Sequence, residues 1–99
     1  MEKYESLESC IDSFAIVDKD LDFVVHDLEA GDEVEADTHP VDERVVANNG
    51  KFEITIDGQK HSYDAHNNQW YTAFHIQKNT EHSLLTIMRT KYYVFKGKE

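Results

Sequence analysis

The chain has 99 residues, 39% of them apolar, with 20 acidic and 10 basic side chains and a formal net charge of −10. That length holds one modest core, and the charge opposes the basic footprint of an ordinary nucleic-acid binder. A lone cysteine excludes an internal disulfide, no apolar run approaches the ~18 residues of a membrane helix, and the first ten residues carry no signal-peptide pattern, so a single cytoplasmic domain over residues 1–99 is expected.

The first predicted element is a short helix. Tyr4, Leu7, Ile11 and Phe14 recur at spacings of three and four with Cys10 beside them, opposite a polar face of Glu2, Glu5, Glu8 and Asp12. Phe14–Val17 and Leu21–Val25 read as a hairpin around Asp18, Lys19 and Asp20. A helix competes over residues 20–30, because Leu21, Val24, Val25 and Leu28 also fit helical spacing ending at Gly31. Residues 31–43, rich in acids and holding Pro40, read as an exposed acidic loop.

Strand composition dominates the second half. Arg44–Ala47, Lys51–Asp57, Lys60–Ala65, Trp70–Gln77 and Leu84–Phe95 are separated by Asn48-Asn49-Gly50, Asp57-Gly58, His66-Asn67-Asn68 and Lys78-Asn79-Thr80. Asn-Gly and Asp-Gly supply the positive φ angles of tight turns, and Phe52, Ile54 and Ile56 alternate with polar neighbours. Residues 80–95 fit a helix as well as a strand. The expected fold is α+β, an N-terminal helix packed on an antiparallel meander of about 4–6 strands.

Charge asymmetry carries the functional expectation. Residues 1–49 hold 15 acids and 3 bases, net −12, and residues 50–99 hold 5 acids and 7 bases, net +2. Eleven acids fall between Asp18 and Glu43. One-signed charge in one stretch attracts basic surfaces. The expected function is a small acidic interaction protein that occupies a basic surface of a partner. Its pointed form is a nucleic-acid mimic of the kind phages and mobile elements encode to inhibit a nucleic-acid-binding enzyme. Asp32, Glu33, Glu35, Asp37, Asp42 and Glu43 are the expected contact residues. A homo-oligomeric assembly module and a metal or small-ligand domain are the alternatives.

Chemistry-bearing motifs are weak. Asp18, Asp20, Asp22 and Glu29 occupy positions 1, 3, 5 and 12 of a calcium loop, but Phe23 stands where that loop needs glycine. His61, Asp64 and His66 lie close together without a metal-site spacing, and His75 and His82 follow. Trp70, Tyr71, Phe74, Tyr92 and Tyr93 mix with Arg89, Lys91, Lys96 and Lys98, as in single-strand binders, yet they are also ordinary sheet residues. No nucleophile emerges, since Cys10 belongs beside the apolar stripe. No catalytic residue, enzyme activity, cofactor, direct nucleic-acid contact or membrane contact is expected.

Overall fold

β-branched and aromatic residues make most of this chain extended. The computed structural model describes residues 2–15, 21–65 and 70–97. In chain order these form β1 (Glu2–Tyr4), α1 (Leu7–Ala15), β2 (Leu21–Leu28), β3 (Glu33–Asp37), β4 (Glu43–Ala47), β5 (Gly50–Ile56), β6 (Gln59–Ala65), β7 (Tyr71–Ile76), β8 (His82–Met88) and β9 (Thr90–Gly97). They build two antiparallel sheets, ordered β1-β7-β4-β9-β2 and β3-β8-β5-β6.

The expected α+β class is corrected by this arrangement. The fold is a β-sandwich whose core lies between two sheets, with one short helix among the described residues on the outside. The meander is corrected too: of the described strand pairs only β5 with β6 joins neighbours in sequence, and every other pairing crosses over. Composition identified the strands, but sheet order depends on long-range pairing that local patterns do not encode.

α1 starts at an N-cap. The Ser9 amide donates to Ser6 Oγ at 3.1 Å, and the Ser6 amide donates back to Ser9 Oγ at 3.3 Å. Cys10, Phe14, Val46, Ala73 and Phe95 form the cluster beneath the helix, with Tyr4 packed on it from β1 instead of from a longer helix. Burial pushes the Cys10 thiol up to about 12, which fits a core thiol and not a nucleophile. Because the helix covers one face of the five-stranded sheet and the second sheet covers the other, β4 is apolar on both sides: Val45 and Ala47 point inward, Val46 outward.

Between the sheets pack Val45, Ala47, Phe52, Ile54, Phe74, Ile76, Leu84 and Tyr92. Phe52 meets the rings of Phe74 and Tyr92 edge-on, with centroids 5.8 and 5.0 Å away. Tyr92 Oη lies 2.8 Å from Thr86 Oγ1, so the deepest phenol is hydrogen-bonded, and burial holds it above the usual tyrosine range.

The remaining boundaries follow the turn chemistry. Asp57 and Gly58 have φ of 51° and 77° and close the β5–β6 hairpin in two residues. Gly50, at φ 82°, passes the chain from one sheet to the other so close to Thr90 that a Cβ would lie 2.0 Å from its Oγ1. Leu21–Leu28 is a strand and not the competing helix, and it pairs with β9. Of the expected hairpin partner Phe14–Val17, Phe14 is helical, while residues 16–20 lie outside those described. The run 80–95 holds no helix: from His82 it is strand, broken at Arg89 into β8 and β9, which belong to different sheets. The segment expected to be loop from 31 to 43 contains β3, exposed throughout and paired with β8 across a bulge, and ends on the first residue of β4.

Candidate metal centre

A cavity of about 240 Å³ opens between the sheets. Val45, Ile54, Leu84 and Tyr92 form its apolar floor, and inward residues of β2 and β3 form its rim. Its chemistry gathers at one end, where His39, Glu43 and His82 each turn a ligand atom inward, all within 4.8 Å of one another.

Each donor is placed by a local device. Glu43 begins β4, and alternation puts it on the same inner face as Val45 and Ala47. His82 begins β8 and, by the same alternation, shares its inner face with Leu84 and Thr86. His39 lies between β3 and β4, before Pro40, which restricts it to extended backbone. Asn79, at φ 60°, donates its amide to the His39 carbonyl at 2.7 Å, and the Lys78 amide donates to Asp42 Oδ1 at 2.8 Å. The β7–β8 turn thereby fastens the segment that carries His39 against the strand that carries His82.

These groups are incompletely paired in a way that a cation would complete. His82 Nδ1 lies 3.1 Å from the Thr80 carbonyl, and its Nε2 lies 3.1 Å from Glu43 Oε2. A neutral imidazole has a single N–H, so it cannot donate to both oxygens. The Nε2 contact is close but off the hydrogen-bond direction, and Glu43 Oε2 is buried without a hydrogen bond. An unsatisfied buried carboxylate oxygen costs about 1–3 kcal/mol or more. With the proton on Nδ1 and directed at Thr80, the Nε2 lone pair and Oε2 both face the space that a cation would fill. His39 Nε2 lies 4.0 Å from the same oxygen and 3.7 Å from Asp37 Oδ2. Divalent transition ions hold such donors at about 2.0–2.2 Å, which places donors around one ion roughly 3–3.5 Å apart. Glu43 and His82 already stand at that spacing and His39 lies within 4.8 Å of both, so the donor set fits a metal.

The acids expected to contact a partner separate into different environments. Glu33, Glu35 and Asp37 are exposed on β3. Asp32 is exposed and accepts the Glu29 amide at 2.8 Å. Asp42 is exposed beside His75 while holding Lys78, and Glu43 is 8% exposed inside the cavity. The calcium-loop set is not assembled. Asp22 is on β2 and Glu29 follows its end, and an extended strand at about 3.3 Å per residue keeps them far apart. Asp18 and Asp20 lie outside the described residues, as does His66. His61 and Asp64 differ by an odd number on β6 and so face opposite sides, His61 against Phe74 and Asp64 4.0 Å from Lys51. Sequence reasoning passed over His39 and left His82 outside any set. The available signal was Asp37, His39 and Glu43 at spacings of two and four around a proline.

No protein-family model and no curated protein sequence matches the chain. Solved structures do. A conserved protein of unknown function from Streptococcus pyogenes superposes with TM-score 0.69 at 22% identity, over 81% of this chain and 66% of that one. A cupin superfamily protein from Desulfitobacterium hafniense gives TM-score 0.69 at 15% identity, over 81% of this chain and 69% of that one. The fold is the cupin fold. A salicylate 1,2-dioxygenase from Pseudoaminobacter salicylatoxidans, in complex with gentisate, gives TM-score 0.68 at 16% identity over 78% of this chain and 20% of that much longer one. This chain therefore spans about two thirds or less of the length of the first and last of these relatives.

The cupin fold overturns the expected inhibitor. Nothing in the comparisons points to nucleic-acid mimicry, a phage origin or a basic target, whereas the sandwich encloses a cavity with metal donors, in line with the metal or small-ligand alternative. A dioxygenase shares the fold, so the fold does not carry the expectation that the chain is no enzyme. Among the described residues no helix is long and apolar enough to cross a membrane.

Proposed function

We propose that the protein binds a divalent transition-metal ion through His39, Glu43 and His82 and takes a small ligand in the adjoining cavity. The orphaned Glu43 Oε2, buried between two imidazoles, is the observation that carries this reading. Two histidines and one carboxylate suit iron, manganese, cobalt, nickel or zinc better than calcium or magnesium, which favour all-oxygen sets. Asp37 stands beside His39 as a further oxygen donor at the rim.

The ligand is small, with an apolar part and a polar one. The cavity, at about 240 Å³, lies below the ~300–1,000 Å³ of drug-sized sites, and its aliphatic floor is ringed by polar and charged side chains. Lys96 lies beside Asp22 and Glu43 in the strand register, giving one polar corner near the donors. A bound ion would supply Lewis acidity at its open positions to a ligand held there. The chain's own residues would seat the ligand's apolar body on Val45, Ile54, Leu84 and Tyr92.

Elemental analysis of tag-free protein tests the assignment. About one equivalent of a transition metal is expected, falling to background in His82→Ala. Ion at a hundredfold excess over Kd should stabilise the fold by about 2.7 kcal/mol, reversed by chelator. No bound metal and no thermal response to any of these ions would overturn the reading.

A further inference from the structure

We infer that the ligand of this cavity is a small aliphatic ammonium ion, its charged head held at the mouth by Asp22 and Glu35 and its hydrocarbon against Val24 and Val34. The assignment deepens the proposed function and rests on the cavity being a ligand site. Among the described residues that line it are four carboxylates, Asp22, Glu35, Asp37 and Glu43, and one lysine, Lys96. The strand register sets Lys96 between Asp22 and Glu43 on the inner face, so its charge is matched from both sides. A divalent ion among His39, Glu43 and His82 would offset two further charges, and with the histidines counted as neutral the lining still carries net negative charge. An anionic head would meet that field on top of the chain's formal −10, whereas a cationic head is drawn in.

Backbone irregularity on β3 delivers part of this chemistry. An unbroken strand sends Val34 and Asp37 to opposite faces, yet both line the cavity. The register shift between them re-aims the strand, and Glu35 reaches the mouth as well. Across the mouth, β2 presents Asp22 and Val24 on one face. Carboxylate and hydrocarbon are thus interleaved on both strands. Val24 and Val34 line the cavity while 46% and 42% exposed, so a guest has apolar surface left to cover. A hydrated inorganic cation would leave these valines wet, but an ammonium ion on a short hydrocarbon covers them and balances the carboxylates together. The buried Glu43 Oε2, which the protein leaves without a hydrogen bond, belongs to the same cavity.

Calorimetric titration of tag-free, metal-loaded protein with choline and with 3,3-dimethyl-1-butanol tests this. The two probes share a shape and a hydroxyl and differ by one positive charge, and a quaternary nitrogen cannot coordinate a metal. Choline should bind roughly tenfold or more tightly at low salt, an advantage that shrinks as salt is added. Asp22→Asn combined with Glu35→Gln should bring the two probes to near parity, with metal content and Tm unchanged. The same order of affinities is expected in metal-free protein, so elemental analysis separates the two assignments: a chain that holds no ion yet prefers choline sinks the metal alone. Choline that does not bind, choline no tighter than the alcohol, or a preference that survives in the double variant would overturn the ammonium assignment.

Discussion

Asp27 and Glu43 are both strand carboxylates from the acidic half of the chain, and their surroundings are opposite. Asp27 stands in solvent at the end of β2, where Arg89 donates Nε to Oδ1 at 3.1 Å and Nη2 to Oδ2 at 2.9 Å. That fork holds its carboxyl below the usual carboxylate range. Glu43 faces the interior with one oxygen buried and unbonded. Formal charge counts the two alike, but only position distinguishes a carboxylate already satisfied by its neighbours from one left with an unbonded oxygen. The site therefore lies where charge is least screened, not where it is densest.

Breaking that contrast at Glu43 should have the largest effect, and in two directions. Glu43→Gln removes the unsatisfied charge, so the metal-free protein should gain about 1–3 kcal/mol while metal binding is lost. Thermal melts with and without added ion read both changes. A variant that is neither stabilised nor blind to metal would show that Glu43 is not poised for a cation.

Tyr92 sharpens the comparison as a polar group that is buried but partnered. Tyr92→Phe strands the Thr86 hydroxyl and should cost about 1–2 kcal/mol in chemical denaturation. The pH dependence has a definite sign. Burial raises the native phenol, so its contribution is fully present below the ordinary tyrosine value of about 10 and is lost as pH rises through the higher native value. The alkaline fall in stability should be shallower in Tyr92→Phe.

The smallest effect is expected at Asp27. Its carboxyl is depressed, so its contribution is present above the ordinary value of about 3.9 and lost as pH falls through the lower native value. Because both partners are solvated, Asp27→Asn should change the acid limb of the pH–stability profile only slightly, and less still in high salt. A loss rivalling that of Tyr92→Phe would mean the fork does more than a surface pair.

Elements were legible where a single period decided them. The alternation of Phe52, Ile54 and Ile56 gave β5, and Asp57-Gly58 gave its hairpin, because both signals are local. The Leu7, Ile11 and Phe14 stripe gave the helix, although Tyr4 fits that stripe and lies in β1. Residues 80–95 fitted two periods because β8 and β9 face different sheets, and Arg89 marks the break only once the partners are known. The metal donors were harder still. His61, Asp64 and His66 looked like a site through nearness in sequence, which strand parity defeats, while His39 and Glu43 meet His82 only because β3 pairs with β8 and the Lys78–Asn79 turn grips their segment.

The crossed sheet order also governs when the donors can meet. Glu43 lies in the five-stranded sheet and His82 in the four-stranded one, and neither strand's partners are its neighbours in sequence. Long loops must close before the three side chains converge, a slow step for sheets built from distant segments. An unfolded or half-assembled chain offers the ion only scattered ligands, so tight uptake should appear as a late kinetic phase. The metal would then serve as a clock for completion of the sandwich, and would slow its reopening without speeding its assembly.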